Sequence, residues 1–192
     1  QSPTGTDALK NTARDADDNT GGTIATNGEL TMTVGTASVD ACDGKLLTAG
    51  DGCGMLNNAG GTISAAGADA STLTATGAID NTAGLITGGG SLAINSASLT
   101  NRDTRATDPN APMKGVWASQ LAVDARQVNN ANGQLGANDT ATLTARTLDN
   151  TAGAITAASA LTVNAMTLNG AGGTLGTNGV LAVTGDITDL RG

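Results

Sequence analysis

The chain contains many acidic residues but few that could perform catalysis. It has 17 Asp and Glu residues and no His. Cleavage of a glycosidic bond needs two carboxyl groups at a fixed separation on one face, and general acid–base chemistry needs a suitably placed proton acceptor. The densest acidic group, Asp15, Asp17 and Asp18, lies in an irregular stretch, and most other acids stand singly. The sequence therefore predicts no catalytic residue, no cofactor and no enzymatic activity.

The two cysteines, Cys42 and Cys53, are predicted to form a disulfide. No further Cys or His accompanies them to complete a zinc site. A bridge would place the protein outside a reducing cytosol. Asp40, Asp43 and Asp51 surround the pair, and carboxylates in such a loop can bind calcium. Solvated turn aspartates are far commoner, and the GGxGxD array of calcium-binding β-rolls is missing. No metal site is predicted.

The candidate contact with a partner lies in residues 100–117, which are predicted to form an extended loop. Arg102, Arg105 and Lys114 make this segment locally basic, and Trp117 is the only aromatic residue of the chain. An exposed Trp beside cations is typical of carbohydrate and protein contacts. The alternative is that Trp117 folds back and caps the coil.

One phrase recurs along the chain at intervals of about twenty residues: apolar, x, Asn, x, x, Gly, x, apolar. It starts at residues 17, 39, 56, 79, 99, 128, 148 and 168. The first apolar position is filled by Val39, Leu56, Ile79, Leu99, Val128, Leu148 and Leu168. The second is filled by Ile24, Leu46, Ile63, Ile86, Leu135, Ile155 and Leu175. Asp17 and Ala106 are the exceptions.

The intervals are uneven at two places. The longest, 99–128, contains the extended loop, and deleting 104–112 to restore the usual interval is predicted to spare the fold. The shortest, 39–56, contains the cysteines, so residues 40–55 are predicted to form an irregular coil.

Between the phrases, apolar residues stand two apart, as in Leu92/Ile94 and Leu161/Val163, which is typical of strands with one buried face. One repeat cannot bury its own apolar face, whereas stacked repeats can. We therefore expect an all-β parallel β-helix, a solenoid of about eight coils of roughly twenty residues, in which 1–192 form one segment. Each Asn would donate to the next coil and adopt the left-handed backbone of a corner, and the Gly would form a second tight corner.

Charge and composition restrict the possible partners. The net charge of −8 argues against nucleic acid, and no apolar run is long enough to span a membrane. The chain opens at Gln1 with neither an initiator Met nor a signal pattern, so we expect an excerpt of a longer protein that forms a monomeric rod.

The phrases LDNTAGAI at 148–155 and IDNTAGLI at 79–86, and the LTV of 161–163, resemble the repeats of the filamentous haemagglutinin family. The resemblance extends over nearly the whole chain and is most specific at 56–101 and 128–187. It implies a right-handed β-helical stalk in a large exoprotein of a Gram-negative bacterium, exported by an outer-membrane transporter through two-partner secretion. The protein would be secreted or displayed at the cell surface.

The resemblance also implies a role in adhesion, virulence or contact-dependent growth inhibition. The partner would be a receptor or glycan on a host or neighbouring cell. One alternative is a receptor-recognition segment of a contact-dependent inhibition protein. An alternative from another class is a β-helical glycan-active enzyme.

Overall fold

The computed structural model describes residues 8–45, 50–106, 108 and 110–189, and this part of the chain is all-β apart from one short helix. The helix, α1, spans Val39–Cys42. The strands are β1 Leu9–Ala13, β2 Ala16–Asp18, β3 Thr23–Thr26, β4 Leu30–Val34, β5 Met55–Asn57, β6 Thr62–Ala65, β7 Ser71–Asp80, β8 Leu85–Thr100, β9 Gly115–Asn129, β10 Gln134–Ala137, β11 Thr140–Asp149, β12 Ala154–Ala157, β13 Ala160–Asn169, β14 Thr174–Thr177 and β15 Val180–Asp189.

The described strands pair in parallel and form three faces. The first face stacks residues 9–13, 30–34, 71–75, 91–96, 120–125, 140–145, 160–165 and 180–184. The second stacks residues 16–18, 55–57, 78–80, 98–100, 127–129, 147–149 and 167–169. The third stacks residues 23–26, 62–65, 85–88, 115–118, 134–137, 154–157 and 174–177.

We call one passage of the chain through the three faces a level. Equivalent residues of successive levels lie opposite one another, about 4.8 Å apart as in any β-sheet. The predicted all-β fold with parallel pairing is confirmed, and the arrangement is consistent with a β-helix.

Alternation with period two directs the aliphatic side chains into one continuous core between the faces. Ile63, Ile86 and Ile155 of the third face are 0% exposed, and Leu56 and Ile79 of the second face are equally buried. The core of the described residues contains no aromatic ring, because so narrow an interior is filled at normal density by Leu, Ile, Val and Ala.

The described residues 35–45 and 50–54 leave the stack between the first and second faces. Strand β2 pairs directly with β5, so that Asp17 lies opposite Leu56. Val39 begins helix α1, which is capped by Ser38. The prediction that Val39 belongs to the first apolar column is therefore wrong. Leu46, which is predicted to fill the second apolar position of the same phrase, lies outside the described residues.

The phrase at residue 39 also lacks the residue that connects the levels. It has Ala41 in the position that Asn occupies in six of the eight phrases. Asn19 donates instead to Asn58, two phrases further along the chain, at 2.7 Å.

The longer loop lies between the second and third faces and rejoins the stack earlier than expected. Val116, and not Ala106, fills the apolar column, where it lies opposite Ile86 and Leu135 and is 0% exposed. Residues 115–117, assigned to the loop on the sequence, belong to β9.

Buried asparagines form a ladder along the corner between the second and third faces. The side-chain Nδ2 of each donates to the Oδ1 of the next at 2.7–2.8 Å. The members are Asn19, Asn58, Asn81, Asn101, Asn130 and Asn150, all at most 7% exposed. The prediction that the amides donate along the axis is confirmed, and the acceptor is the next side-chain oxygen.

The left-handed residue of each corner stands two positions after the ladder asparagine or, at the last of these corners, after Gly170. The φ angles at these positions are 51–64°, at Gly21, Gly60, Ala83, Asp103, Asn132, Ala152 and Gly172. The next residue is Gly at every one of these corners except that of Thr104, and space there is short: a Cβ at Gly84 would lie 2.3 Å from the Asn58 carbonyl oxygen and 2.6 Å from Asn81 Oδ1. The predictions of a left-handed Asn and of a glycine that forms a second tight corner are therefore wrong.

Candidate partner-contact site

Residues 35–45 and 50–54, which we call the excursion, lie against the corner between the first and second faces. Cys42 and Cys53 form a disulfide there. Both are buried and pack against Ala97 of β8, and Ala37 and Val39 complete this small apolar cluster. The excursion thus has its own minor core and lies on the outside of the stack.

The aspartates of the excursion are engaged by groups of the protein. Asp40 forms an ion pair with Arg126, and Asp43 forms one with Arg146. The hydrogen bond and charge of Asp40 raise the pKa of Arg126. Asp51 accepts a hydrogen bond of 2.7 Å from the backbone N–H of Cys53. These carboxylates fasten the excursion to later levels, and no group of three potential ligands for a metal ion is found among the described residues.

The loop arginines are held by local partners. Arg102 lies 3.4 Å from Asp103 in an exposed ion pair. Arg105 donates from Nη1 to the Ala152 carbonyl oxygen at 2.8 Å, and from its backbone N–H to the Asn132 carbonyl oxygen at 2.8 Å. Arg105 therefore ties the loop to the two following levels. A surface cavity of about 530 Å³ lies beside it, lined by Asp103, Arg105, Ala106, Asn132 and Ala152.

Thr104 accommodates the loop inside the corner, in the position that glycine occupies at other levels. It is 1% exposed, and its hydroxyl donates to the Asn101 carbonyl oxygen and accepts from the Gln134 backbone N–H at 2.9 Å. At another level the equivalent N–H, that of Leu85, donates to the carbonyl of the corner glycine, Gly61. A deletion of 104–112 would remove this buried contact. We therefore expect the shorter deletion of 106–112, and not that of 104–112, to spare the fold.

Trp117 lies on the outer surface of the third face, in the middle of the stack. Its indole N–H donates to the Lys114 carbonyl oxygen at 2.7 Å, which fixes the ring against the end of the loop. A Cβ at Gly136, on the next level, would lie 2.3 Å from Cζ3 and 2.4 Å from Cε3 of the indole. The six-membered ring therefore covers the backbone of Gly136, and the side chain remains partly exposed.

The third face carries no charge along its strands. None of its seven segments contains an ionisable residue. On either side of Trp117 are hydroxyl and amide groups: Thr87 donates to Ser64 at 3.0 Å, and Gln134 donates to Thr156 at 3.3 Å. The other two faces differ, because their strands contain ionisable residues, among them Lys10, Asp18, Asp80, Asp124 and Asp149.

Residues 115–189, which include Trp117 and the later levels, match the family model of the haemagglutinin repeat. This part of the chain is similar to the haemagglutinin repeat of secreted exoproteins. The resemblance to the filamentous haemagglutinin family is thereby confirmed. Neither the curated proteins nor the solved structures include a significant match to the chain. In the described ranges, no helix has the length and apolar character that crossing a membrane requires.

A groove with a volume of about 470 Å³ also runs along the second face, from residues 98–100 into the matched repeats. Its lining includes Ser98, Thr100, Gln127, Asn129, Thr147, Asp149, Thr167 and Asn169. The carboxylate of Asp149 accepts from the N–H and hydroxyl of Thr151, and Asp18 makes the same turn with Thr20, whose hydrogen bonds lower the pKa of Asp18. In the column that runs from Asp18 to Asp149, successive acids are separated by one or two Asn or Thr residues, which keeps like charges apart.

The structure separates the predicted contact residues into two groups. Lys114 adjoins Trp117, whereas Arg105 is directed to the corner at Ala152. Sequence reasoning missed Gly136 and Gln134, which shape the surface beside the indole ring. The sequence does contain a glycine at an outward-facing position in the repeat after Trp117, but the sequence alone does not show that this glycine lies opposite the ring, because that depends on the register of the strands.

Proposed function

We propose that this chain is a structural and adhesive β-helical stalk segment of a large secreted or surface-displayed bacterial exoprotein. The match of residues 115–189 to the haemagglutinin repeat carries the proposal. Secretion or surface display is the setting of this repeat family. The parallel stack provides an extended and stiff scaffold of the kind that solenoids use to present binding surfaces.

We propose a right-handed β-helix of about eight coils, on the order of 40 Å long at the usual strand spacing. The parallel order of the first-face strands supports the number of coils. Parallel strand–crossover–strand connections of L-amino acids are almost always right-handed, which supports the handedness.

The proposed cellular setting is the surface of a Gram-negative bacterium. Export would use an outer-membrane transporter, as two-partner secretion of this family implies. The chain would act as a monomeric rod that contacts a receptor or glycan on another cell.

We further propose that the chain has no enzymatic activity. The acids of the second face, such as Asp80 and Asp149, hold turns through local hydrogen bonds. Those of the excursion, Asp40 and Asp43, bind arginines. Carboxylates engaged in this way support the fold, and hydrolysis of a glycan needs an opposed pair facing the substrate.

One observation favours a second function, that of a receptor-recognition segment in a contact-dependent inhibition protein. The excursion and the described residues between 105 and 114 both interrupt the stack and add surface outside it. A plain stalk does not need such features, and enlarged turns of solenoids commonly bind partners.

A cell-binding assay tests the proposal. Fluorescently labelled chain is added to Gram-negative and epithelial cells in 0.15 M NaCl, with excess unlabelled chain as competitor. Saturable, competed binding is expected, and a deletion of 106–112 should keep the fold and show whether the loop takes part.

The Ile155→Asp variant, which disrupts the core, is the negative control. Absence of saturable binding on every cell type would refute the adhesive role. Binding that disappears on bacteria lacking one outer-membrane protein would favour the inhibition-protein alternative over the adhesin.

A further inference from the structure

We infer that the third face around Trp117 is a binding site for a pyranose ring of a neutral glycan. This inference rests on the proposed adhesive function and specifies the ligand class. The site consists of the indole of Trp117, the flat backbone at Gly136, and the polar side chains of Thr87, Gln134 and Thr156.

The position of the indole suits stacking with a sugar. Its six-membered ring covers Gly136, where a Cβ would come within 2.3 Å of ring atoms. The ring is therefore supported from below by backbone and remains partly exposed. Its only polar atom, Nε1, is already bonded to the Lys114 carbonyl oxygen, so the free surface of the ring is apolar. The C–H face of a pyranose is the ligand surface that complements such a platform.

The surroundings of the ring suit the hydroxyl groups of the same sugar. Thr87 and Gly136 are the neighbours of Trp117 in its column, and Thr156 follows Gly136. Gln134 and Thr156 already bond to each other at 3.3 Å, which orders both groups at the surface. Their remaining donors and acceptors can reach ligand hydroxyls at the rim of the platform.

Charge selects a neutral ligand. The chain has a net charge of −8, and the strands of this face have no ionisable residue to compensate an anionic sugar. Of the nearby loop cations, Arg102 is engaged by Asp103 and Arg105 by the Ala152 carbonyl, and Lys114 adds one positive charge beside Trp117. A sulfated or carboxylated glycan would meet the acidic field of the chain without an opposing cluster of cations.

Trp117 is the only Trp of the chain, so its fluorescence reports on this site alone. The intact chain is titrated with cellohexaose, mannohexaose and chitin hexasaccharide as neutral probes, and with a heparin hexasaccharide as the anionic comparison. We expect at least one neutral probe to shift or quench the emission saturably, and the heparin probe to have no effect. Calorimetry with the same probes then measures affinity in variants that lack the fluorophore.

Two glycines of the same column provide a matched comparison. Gly136→Ala places a Cβ where the ring lies, and it should weaken binding at least tenfold although the indole is retained. Gly176→Ala meets only ordinary contacts of 3.7 Å and 3.8 Å with threonine methyls and should bind as the parent does. Trp117→Ala should abolish binding, and it decides the matter if Gly136→Ala fails to fold.

The inference is overturned if no neutral probe changes the emission, if heparin alone binds, or if Trp117→Ala keeps its affinity. The cell assay separates this outcome from failure of the adhesive role. If the chain binds cells saturably and Trp117→Ala binds them equally, the glycan site is wrong and adhesion stands. If the chain binds no cells, adhesion fails, and the titration still decides the glycan site.

Discussion

Replacing Asn81 with alanine should destabilise the protein far more than replacing an asparagine on the outer surface. Asn81 is in the interior of the ladder, where it is 0% exposed. Its Oδ1 accepts from Asn58 at 2.7 Å, and its Nδ2 donates to Asn101 at 2.8 Å. Alanine removes both bonds together.

The magnitude follows from the groups left behind. Each lost hydrogen bond costs about 1 kcal/mol, and the buried Asn101 Oδ1, deprived of its donor, adds at least about 1 kcal/mol. Asn58 Nδ2 keeps a bond of 3.1 Å to the Leu85 carbonyl, which limits the penalty on that side. The sum is about 3 kcal/mol, which for a chain of this length lowers the melting temperature by roughly 6–12 °C.

The assay is thermal unfolding followed by β-sheet circular dichroism. The control is Asn169→Ala, since Asn169 is half-buried and its two bonds, to Thr151 at 3.1 Å and from the Ala171 N–H at 3.3 Å, lie on the outer surface, where water can replace them. Its cost should stay below about 1 kcal/mol. A melting temperature for Asn81→Ala as close to the parent as that of the control would refute the energetic role of the ladder.

Three further predictions concern the core and the excursion. Ile86→Asp or Ile155→Asp should be severely destabilising, since each puts an unpaired carboxylate in a fully buried column; near-parental melting would show that the register is wrong. Ser96→Ala should raise the melting temperature by roughly 2–4 °C, because its buried hydroxyl lacks a hydrogen-bond partner among the described residues and its neighbours in register are alanines; a lower value would contradict this. Serine at both Cys42 and Cys53 should cost about 2–3 kcal/mol by urea titration, and reductant should lower the parent to the same level without affecting the variant.

The repeated parts of the fold could be predicted from the sequence because their causes are local. Apolar residues two apart, as in Leu92/Ile94, point to the same side of a strand and are buried in the core, and this does not depend on the sequence of the neighbouring level. The ladder was predictable because an Asn at the same place in each repeat must meet its counterpart once the levels stack. Ile86 and Ile155 were assigned to the core on the same grounds.

The irregular parts depend on contacts between distant levels, which spacing does not reveal. The phrase at Val39 matches in composition, yet β2 pairs with β5 and excludes it. Asp17 breaks the apolar column because it bonds to Asn11 at the half-buried first level. The position of the Trp117 ring depends on Gly136, a residue adjacent only in the stack.

Stacking at one repeat per level underlies the asparagine ladder, the neutral third face and the Trp117 platform, and spin-label distances test it most directly. Thr74, Thr144 and Thr184 belong to one outward column of the first face. With the native disulfide intact, labels at 74 and 144 should be separated by about three strand spacings, roughly 14 Å between backbones, and labels at 74 and 184 by about five, roughly 24 Å. Distances that do not increase by about 4.8 Å for each level would contradict the stack and everything built on it.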